Sequence, residues 1–362
     1  MPSTPPTSRL TRAGFVRPPA LSPGSTVALV SPSDPAAHLF PERVGRAARN
    51  LARAGLRLRT TAVGTAIRPD RPYLAGSDAE RARDLQAAFE DPEVDAVWCA
   101  IGGMNSNRLL DRLDFDAIAK RPKALIGYSD ATCLLNALNA AAGLVALHGP
   151  NLVVEWGGAA PDPFTEAAFW RVAQGAAAPG VLPEASSCRL EPWPPGPAVH
   201  VARERARGNG AGVAEGALVG GNLQTLLRLS GTPWWPSFEG RVLFWEDVGL
   251  PEHALDALLT QLRLLGVFEA VTAVVIGRVV APDERSIFSP ERMAVLTEDA
   301  AGRRLPVVSG VDMGHTDPML TLPIGVWARV DAEAATVALL EPAMGLAAKG
   351  MDCAEANESG ES

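Results

Sequence analysis

Leu125-Ile126-Gly127-Tyr128-Ser129-Asp130-Ala131 carries an apolar run into a tight Gly-x-Ser-x-Ala turn, and the residues from 131 to about 142 continue it with a helical pattern. A strand that turns sharply into a helix holds its serine out at the carboxyl edge of a sheet. The next backbone N–H, here that of Asp130, then points at a carbonyl oxygen under attack. The same spacing also arises by chance in long chains, so the turn alone establishes a serine at a strand end and no more. Its weight depends on what the surrounding chain builds.

Working outward, β-like runs fall at residues 26–30, 56–61, 96–101 and 123–127. Helical patterns intervene at 41–54, 77–89, 106–113 and 131–142, the second opened by Ser77 as N-cap. This alternation predicts a doubly wound parallel sheet with helices on both faces, an N-terminal α/β domain spanning residues 21–156. Ligands of such sheets bind beyond the carboxyl ends of the strands. The loops at Ser33, Gly103 and Ser129 all fall on that edge, so one cleft can hold all three.

After Gly149-Pro150 the composition shifts. Residues 157–200 are rich in Pro, Gly and Ala and read as a linker with one helix near 165–174. Further β-like runs at 215–219, 241–245, 273–277, 306–308 and 326–331, with helices at 222–229, 253–265 and 290–301, predict a smaller mixed α/β domain over residues 201–346. Residues 1–20, with five prolines and no apolar core, read as a flexible arm rather than a secretory signal. The Glu-, Gly- and Ser-rich residues 347–362 read as a disordered tail.

The chain has 362 residues, 47% of them hydrophobic, which is enough for two cores. Its formal charge of −8, from 33 basic and 41 acidic residues, leaves no basic footprint for nucleic acid. No apolar stretch reaches membrane-spanning length, so neither a membrane nor a nucleic acid is an expected partner. Cys99, Cys133, Cys188 and Cys353 form no CxxC pair, which argues against a zinc site and a disulfide framework and for a reducing, cytoplasmic compartment. Neither metal nor cofactor is expected.

A serine nucleophile needs a base, and five histidines are on offer. His315, in Val311-Asp-Met-Gly-His-Thr-Asp-Pro318 directly after a β-like run, is the best placed. His148 follows an apolar run too and reads more as a capped loop histidine. His38, His200 and His253 lie in loops, polar connections or at a helix start. The base needs a carboxylate to hold its tautomer. Arg241-Val-Leu-Phe-Trp-Glu246-Asp247 puts an acid at the end of an apolar strand, either a third catalytic member or an ordinary strand-end residue. The turn Ile101-Gly102-Gly103-Met104-Asn105 offers a backbone N–H for an oxyanion; it lacks the spacing of a dinucleotide or P-loop motif.

At these residues the chain resembles the serine peptidase family that contains the bacterial LD-carboxypeptidases, the muramoyltetrapeptide carboxypeptidases and the microcin C immunity proteins. The resemblance runs in order through Leu21-Ser-Pro-Gly24, Val30-Ser-Pro-Ser33, Ala75-Gly-Ser77, Arg81-Ala82 and Ile101-Gly-Gly-Met-Asn-Ser-Asn107. It continues through Gly127-Tyr-Ser-Asp130, His148-Gly-Pro150, Glu215-Gly216, Gly220-Gly-Asn-Leu223, Leu243-Phe-Trp-Glu-Asp247, Gly314-His-Thr316 and Leu322-Pro-Ile-Gly325, covering roughly residues 20 to 345. It implies a Ser129–Glu246–His315 triad split between the two domains, an active site at their interface, and an oxyanion hole from the N–H groups of Gly103 and Asp130. It also implies a small peptide or peptide-conjugate substrate and a homodimer. The Ile-Gly-Gly-Met-Asn-Ser-Asn wording is closer to the immunity branch. The basic residue that immunity-type members carry shortly after the catalytic Glu is replaced here by Gly249-Leu250-Pro251, and the helix that usually bears an Asp-Arg pair reads Leu255-Asp256-Ala257.

For substrate contacts, Asn105 and Asn222 in glycine-rich loops offer amides to the cleft or, equally, stabilise turns. Trp156, Trp193, Trp234 and Trp235 supply either a stacking platform or ordinary core. A non-catalytic two-domain binder of a small metabolite or peptide, with the serine turn as an anion nest, is the alternative. Convergence of Ser129, Glu246 and His315 separates the two readings, because binding requires none of that trio.

Overall fold

The computed structural model describes residues 10–63, 67–175, 177–190 and 193–347. Five strands of the first half, β1 (Thr26–Val30), β2 (Arg57–Thr60), β3 (Ala96–Cys99), β4 (Ala124–Gly127) and β5 (Ala146–His148), lie parallel in the order β2-β1-β3-β4-β5. All but the edge strand β2 are buried along their whole length, which is why they read as unbroken apolar runs. The order reverses between β1 and β3. The loops after these two strands therefore diverge around a crevice, as in other doubly wound sheets, and the turn after β4 borders it.

The second half builds a mixed sheet from β6 (Gly180–Val181), β9 (Arg207–Gly208), β10 (Val213–Asn222), β11 (Val242–Glu246), β12 (Ala273–Gly277), β13 (Val307–Val311), β15 (Trp327–Asp331) and β16 (Thr336–Leu339). At its centre β10, β11, β12 and β13 run parallel, and β15, β16, β6 and β9 complete it antiparallel. A hairpin of β7 (Arg189–Leu190) and β8 (Val199–His200) stands apart.

The structure departs from the sequence expectations in several places. β14 (Leu322–Ile324) belongs by sequence to the second half, yet pairs antiparallel with β5 and closes the first sheet. Its central Pro323 masks it as a strand, and proline is tolerated because β14 is an edge. Residues 10–20, expected as a flexible arm, are tied down: Val16 bridges Leu144, Pro19 bridges Gly345, and Arg17 pairs with the buried Glu341 at 2.6 Å. The rest of the expected arm and all but the first residue of the expected tail lie outside the described residues. The expected linker contains the helix Pro163–Ala173, but it also gives β6 to the large sheet and carries both strands of the hairpin. The expected helix at 106–113 is a 3₁₀ turn, Ser106–Arg112, followed by a separate helix Phe115–Lys120 capped by the Asp114 side chain.

The helix after the serine turn, Thr132–Ala142, joins the halves. It is buried on nearly every face because the first sheet covers one side and β10 the other. Asn136 Nδ2 donates to the Gly220 carbonyl at 2.8 Å, the Asn222 N–H donates to Thr132 Oγ1 at 3.0 Å, and Arg241 reaches Asn139 Oδ1 at 2.9 Å.

Candidate active site

Each strand-end residue sits where its apolar strand stops. β4 ends at Gly127, and Ser129 follows with φ 62 at the start of a short 3₁₀ turn. A non-glycine residue in the left-handed region is held there by its surroundings, as expected of a nucleophile elbow. β11 ends in Glu246, fully buried, and the loop after β13 carries His315. His315 Nε2 lies 2.9 Å from Ser129 Oγ and its Nδ1 lies 2.7 Å from Glu246 Oε2. The three residues are thus brought together from both halves of the chain. Gly314, with φ 92, makes the approach possible: a Cβ there would run into the Glu246 carboxylate.

Burial alone would raise the Glu246 carboxyl, but the charge and hydrogen bond of His315, with help from His148 and Asn222, outweigh it and hold the group below the usual carboxylate range. Burial likewise disfavours the His315 imidazolium, and Glu246 more than compensates, leaving His315 above its ordinary value. The two groups therefore hold each other in the ionised form whenever His315 takes up a proton. Tyr128 meets the His315 ring edge-on at 5.0 Å and donates from its hydroxyl to Glu155 Oε1 at 2.9 Å.

The Gly102-Gly103 turn abuts the serine closely enough that a Cβ on Gly102 would stand 2.6 Å from Ser129 Cβ and 3.1 Å from the Asp130 nitrogen. Asp130 was singled out in the sequence for its N–H alone. Its carboxylate, almost completely buried, accepts from Ser33 Oγ at 2.5 Å, from the Ser106 N–H at 2.8 Å and from Arg228 Nη1 at 2.9 Å. Ser106 Oγ also donates to the Asp130 carbonyl at 2.6 Å. One side chain thus binds the loops after β1 and β3 to the serine turn, and Arg228 adds the second half.

A cavity of about 240 Å³ opens beside the serine, lined by Ser129, His315, Gly102, Gly103, Ile101, Tyr128, Asn151, Val154, Asp34, Leu190, Trp193, Val248, Val280 and Glu284. Trp193 is the tryptophan of the four that faces it; Trp156 is buried against Trp98 and Phe169. Neither Asn105 nor Asn222 is among the lining residues. Asn105, with φ 73, starts the 3₁₀ turn at Ser106. Asn222 Oδ1 caps the helix Leu223–Leu227 through the Thr225 N–H at 3.1 Å, and the Asn222 amide supports Glu246. Sequence reasoning missed Asp34, Asn151, Arg228 and Glu284. Asp34 alone had a signal, directly after Ser33 on the crevice edge.

Comparison with known proteins identifies the family. Residues 27–149 match the LD-carboxypeptidase N-terminal domain and residues 215–330 the LD-carboxypeptidase C-terminal domain. The chain is 32% identical over 333 residues to the Microcin C7 self-immunity protein MccF of Escherichia coli, covering 89% of this chain and 94% of the relative. It is also 32% identical over 327 residues to a probable murein peptide carboxypeptidase of Bacillus subtilis, again covering 89% and 94%. The solved structure of MccF in complex with aspartyl sulfamoyl adenosine superposes with a TM-score of 0.82 at 29% identity, covering 91% of this chain and 100% of that one. The chain belongs to the LD-carboxypeptidase family and is a serine peptidase.

Proposed function

We propose that the protein hydrolyses an amide or peptide bond by acyl transfer through Ser129, with His315 as general base and Glu246 as its orienting carboxylate. The observation that carries this reading is the unbroken chain of contacts from Ser129 Oγ to His315 at 2.9 Å and from His315 to Glu246 at 2.7 Å. His315 takes the hydroxyl proton as Oγ attacks the carbonyl. The new imidazolium is stabilised by Glu246, and the N–H groups of Gly103 and Asp130 receive the oxyanion. His315 then returns the proton to the leaving amine. Water, activated by the same imidazole, resolves the acyl-enzyme.

Two substrate classes follow from the relatives: peptide or aminoacyl conjugates of a nucleotide, and murein-type peptides. MccF has been solved with aspartyl sulfamoyl adenosine and with glutamyl sulfamoyl guanosine, and other relatives are named as murein peptide carboxypeptidases. Labelling with a fluorophosphonate tests the nucleophile without prior choice of substrate. The expected result is one label per chain on Ser129, with labelling and hydrolysis both abolished in Ser129→Ala while the far-ultraviolet circular dichroism is unchanged. A Ser129→Ala protein that still turns over substrate removes Ser129 from the role. A non-catalytic binder is the outcome if neither labelling nor turnover occurs in the wild type.

A further inference from the structure

The sheet of the second half bends back until its two ends meet. Just beyond β9 and β15, the Gly210 N–H donates to the Ala332 carbonyl at 3.0 Å and the Ala332 N–H donates to the Gly212 carbonyl at 2.9 Å. Between β9 and β13 on one side and β16 and β6 on the other, a cavity of about 810 Å³ stays open, against about 240 Å³ beside Ser129. The two cavities share no lining residue. Val181, Leu182, Val308, Val311, Leu320 and Val337 give the larger one an apolar wall.

A carboxylate of the chain itself sits in a loose cationic nest at this cavity. Glu184 lies 3.2 Å from Arg203 Nη2, and it accepts from Arg205 Nε at 3.1 Å and from the Ala206 N–H at 3.3 Å. Charge-assisted hydrogen bonds of this kind are ordinarily about 2.7–2.9 Å long. Arg203 Nε and Nη2 are buried without a hydrogen-bond partner among the described residues, a state that buried donors seldom keep. Burial opposes the charge on Glu184, yet Arg203 and Arg205 hold its carboxyl below the usual range, so the nest favours an anion. Arg207, exposed, lines the same cavity. Asp312 there is already paired by Arg278 at 2.7 Å, which leaves Glu204 as the opposing carboxylate.

The free edge of β6 adds a second kind of partner. The Leu182 N–H donates to the Val337 carbonyl at 2.8 Å, so the N–H and C=O of Val181, one residue earlier, point off the other edge of the strand. β6 is the last strand of its sheet, and no strand pairs with that edge among the described residues.

We propose that this cavity is a second ligand site, separate from the serine site, which takes the C-terminal end of a short apolar peptide. The peptide carboxylate displaces Glu184 from Arg203 and Arg205, and Arg207 adds attraction. The backbone of the peptide pairs with Val181, and an apolar side chain packs against Val308 and Val311. Val181 and Glu184 are three residues apart, about 10 Å of extended chain, a span that about three peptide residues cover. Nothing in this assignment uses Ser129, Glu246 or His315.

Calorimetric titration of the Ser129→Ala protein with N-acetyl-leucyl-leucine and with its C-terminal amide tests the proposal without interference from turnover. The acid should bind one to one and about tenfold more tightly than the amide. Adding Arg205→Ala and Arg207→Ala, both at exposed positions, should bring the acid down to the affinity of the amide. Glu184→Gln should tighten binding of the acid about three- to tenfold, because the built-in competitor loses its charge and keeps its shape. Equal binding of acid and amide, no binding of either, or acid binding that survives loss of both arginines overturns the proposal. Weaker binding to the Glu184→Gln protein also overturns it, by making Glu184 part of the wall rather than a stand-in for the ligand.

Discussion

On the proposed mechanism, Ser129 is reactive only if the atoms around it stay where Asp130 and Arg228 hold them. The Asp130 carboxylate fixes the peptide whose N–H the proposal assigns to the oxyanion, and Arg228 is its partner from the other half of the chain. Replacing Arg228 leaves a buried carboxylate with two donors, Ser33 and Ser106, in place of three. Arg228→Ala should therefore slow fluorophosphonate labelling of Ser129 about ten- to a hundredfold, the range expected for weakening one oxyanion donor. Arg228→Lys should restore part of the rate, because a cation returns without the guanidinium geometry. Labelling at the wild-type rate in Arg228→Ala would show that Asp130 needs no help from the second half. None of this was legible in the sequence: Asp130 and Arg228 are 98 residues apart, and an arginine in Leu226-Leu227-Arg228 reads as solvated helix. Ser129, Glu246 and His315 were legible, because strand-end positions and ordered motifs are local signals.

At the scale of elements, β5 carries a histidine that the sequence left between a cleft residue and a capped loop residue. His148 is neither: its ring is fully buried, both nitrogens lack hydrogen-bond partners among the described residues, and it packs against Phe244 and Tyr128. Burial lowers its pKa from 6.5 to about 4, although Glu246 pulls the other way. A histidine neutral in the fold and protonated when unfolded contributes stability above pH 6.5 that is lost as the pH falls toward 4, because the unfolded chain then binds the extra proton. The loss from this group is bounded at about 3 kcal/mol. Urea unfolding of wild type and His148→Leu between pH 4 and 7.5 should show the wild type losing stability faster on acidification. Parallel curves would mean that His148 keeps its proton equilibrium on unfolding. Parallel strands of the first half were readable because burial on both faces makes them continuous apolar runs. β14 was not, since a three-residue edge strand with a central proline has no periodicity to detect.

At the scale of the whole molecule, the site exists only while the two halves keep their register. The helix starting at Thr132, directly behind the serine turn, lies against β10, and β10 pairs with β11, which ends in Glu246. Gly221 is the closest point of that junction: with φ 139, it brings the β10 backbone so near that a Cβ would stand 2.5 Å from Thr132 Oγ1 and 2.7 Å from its methyl. An added methyl has nowhere to go where strand and helix meet, both buried at that point, so Gly221→Ala must push the helix behind the serine turn away from the strand beside Glu246. The expected cost in stability is about 1–3 kcal/mol, and labelling of Ser129 per folded molecule should fall about tenfold or more. Measuring the labelling rate well below the unfolding midpoint separates the two effects. If the rate falls only as the folded fraction falls, the junction supplies stability without alignment, and the spacing of Ser129 from Glu246 and His315 must be set elsewhere in the fold.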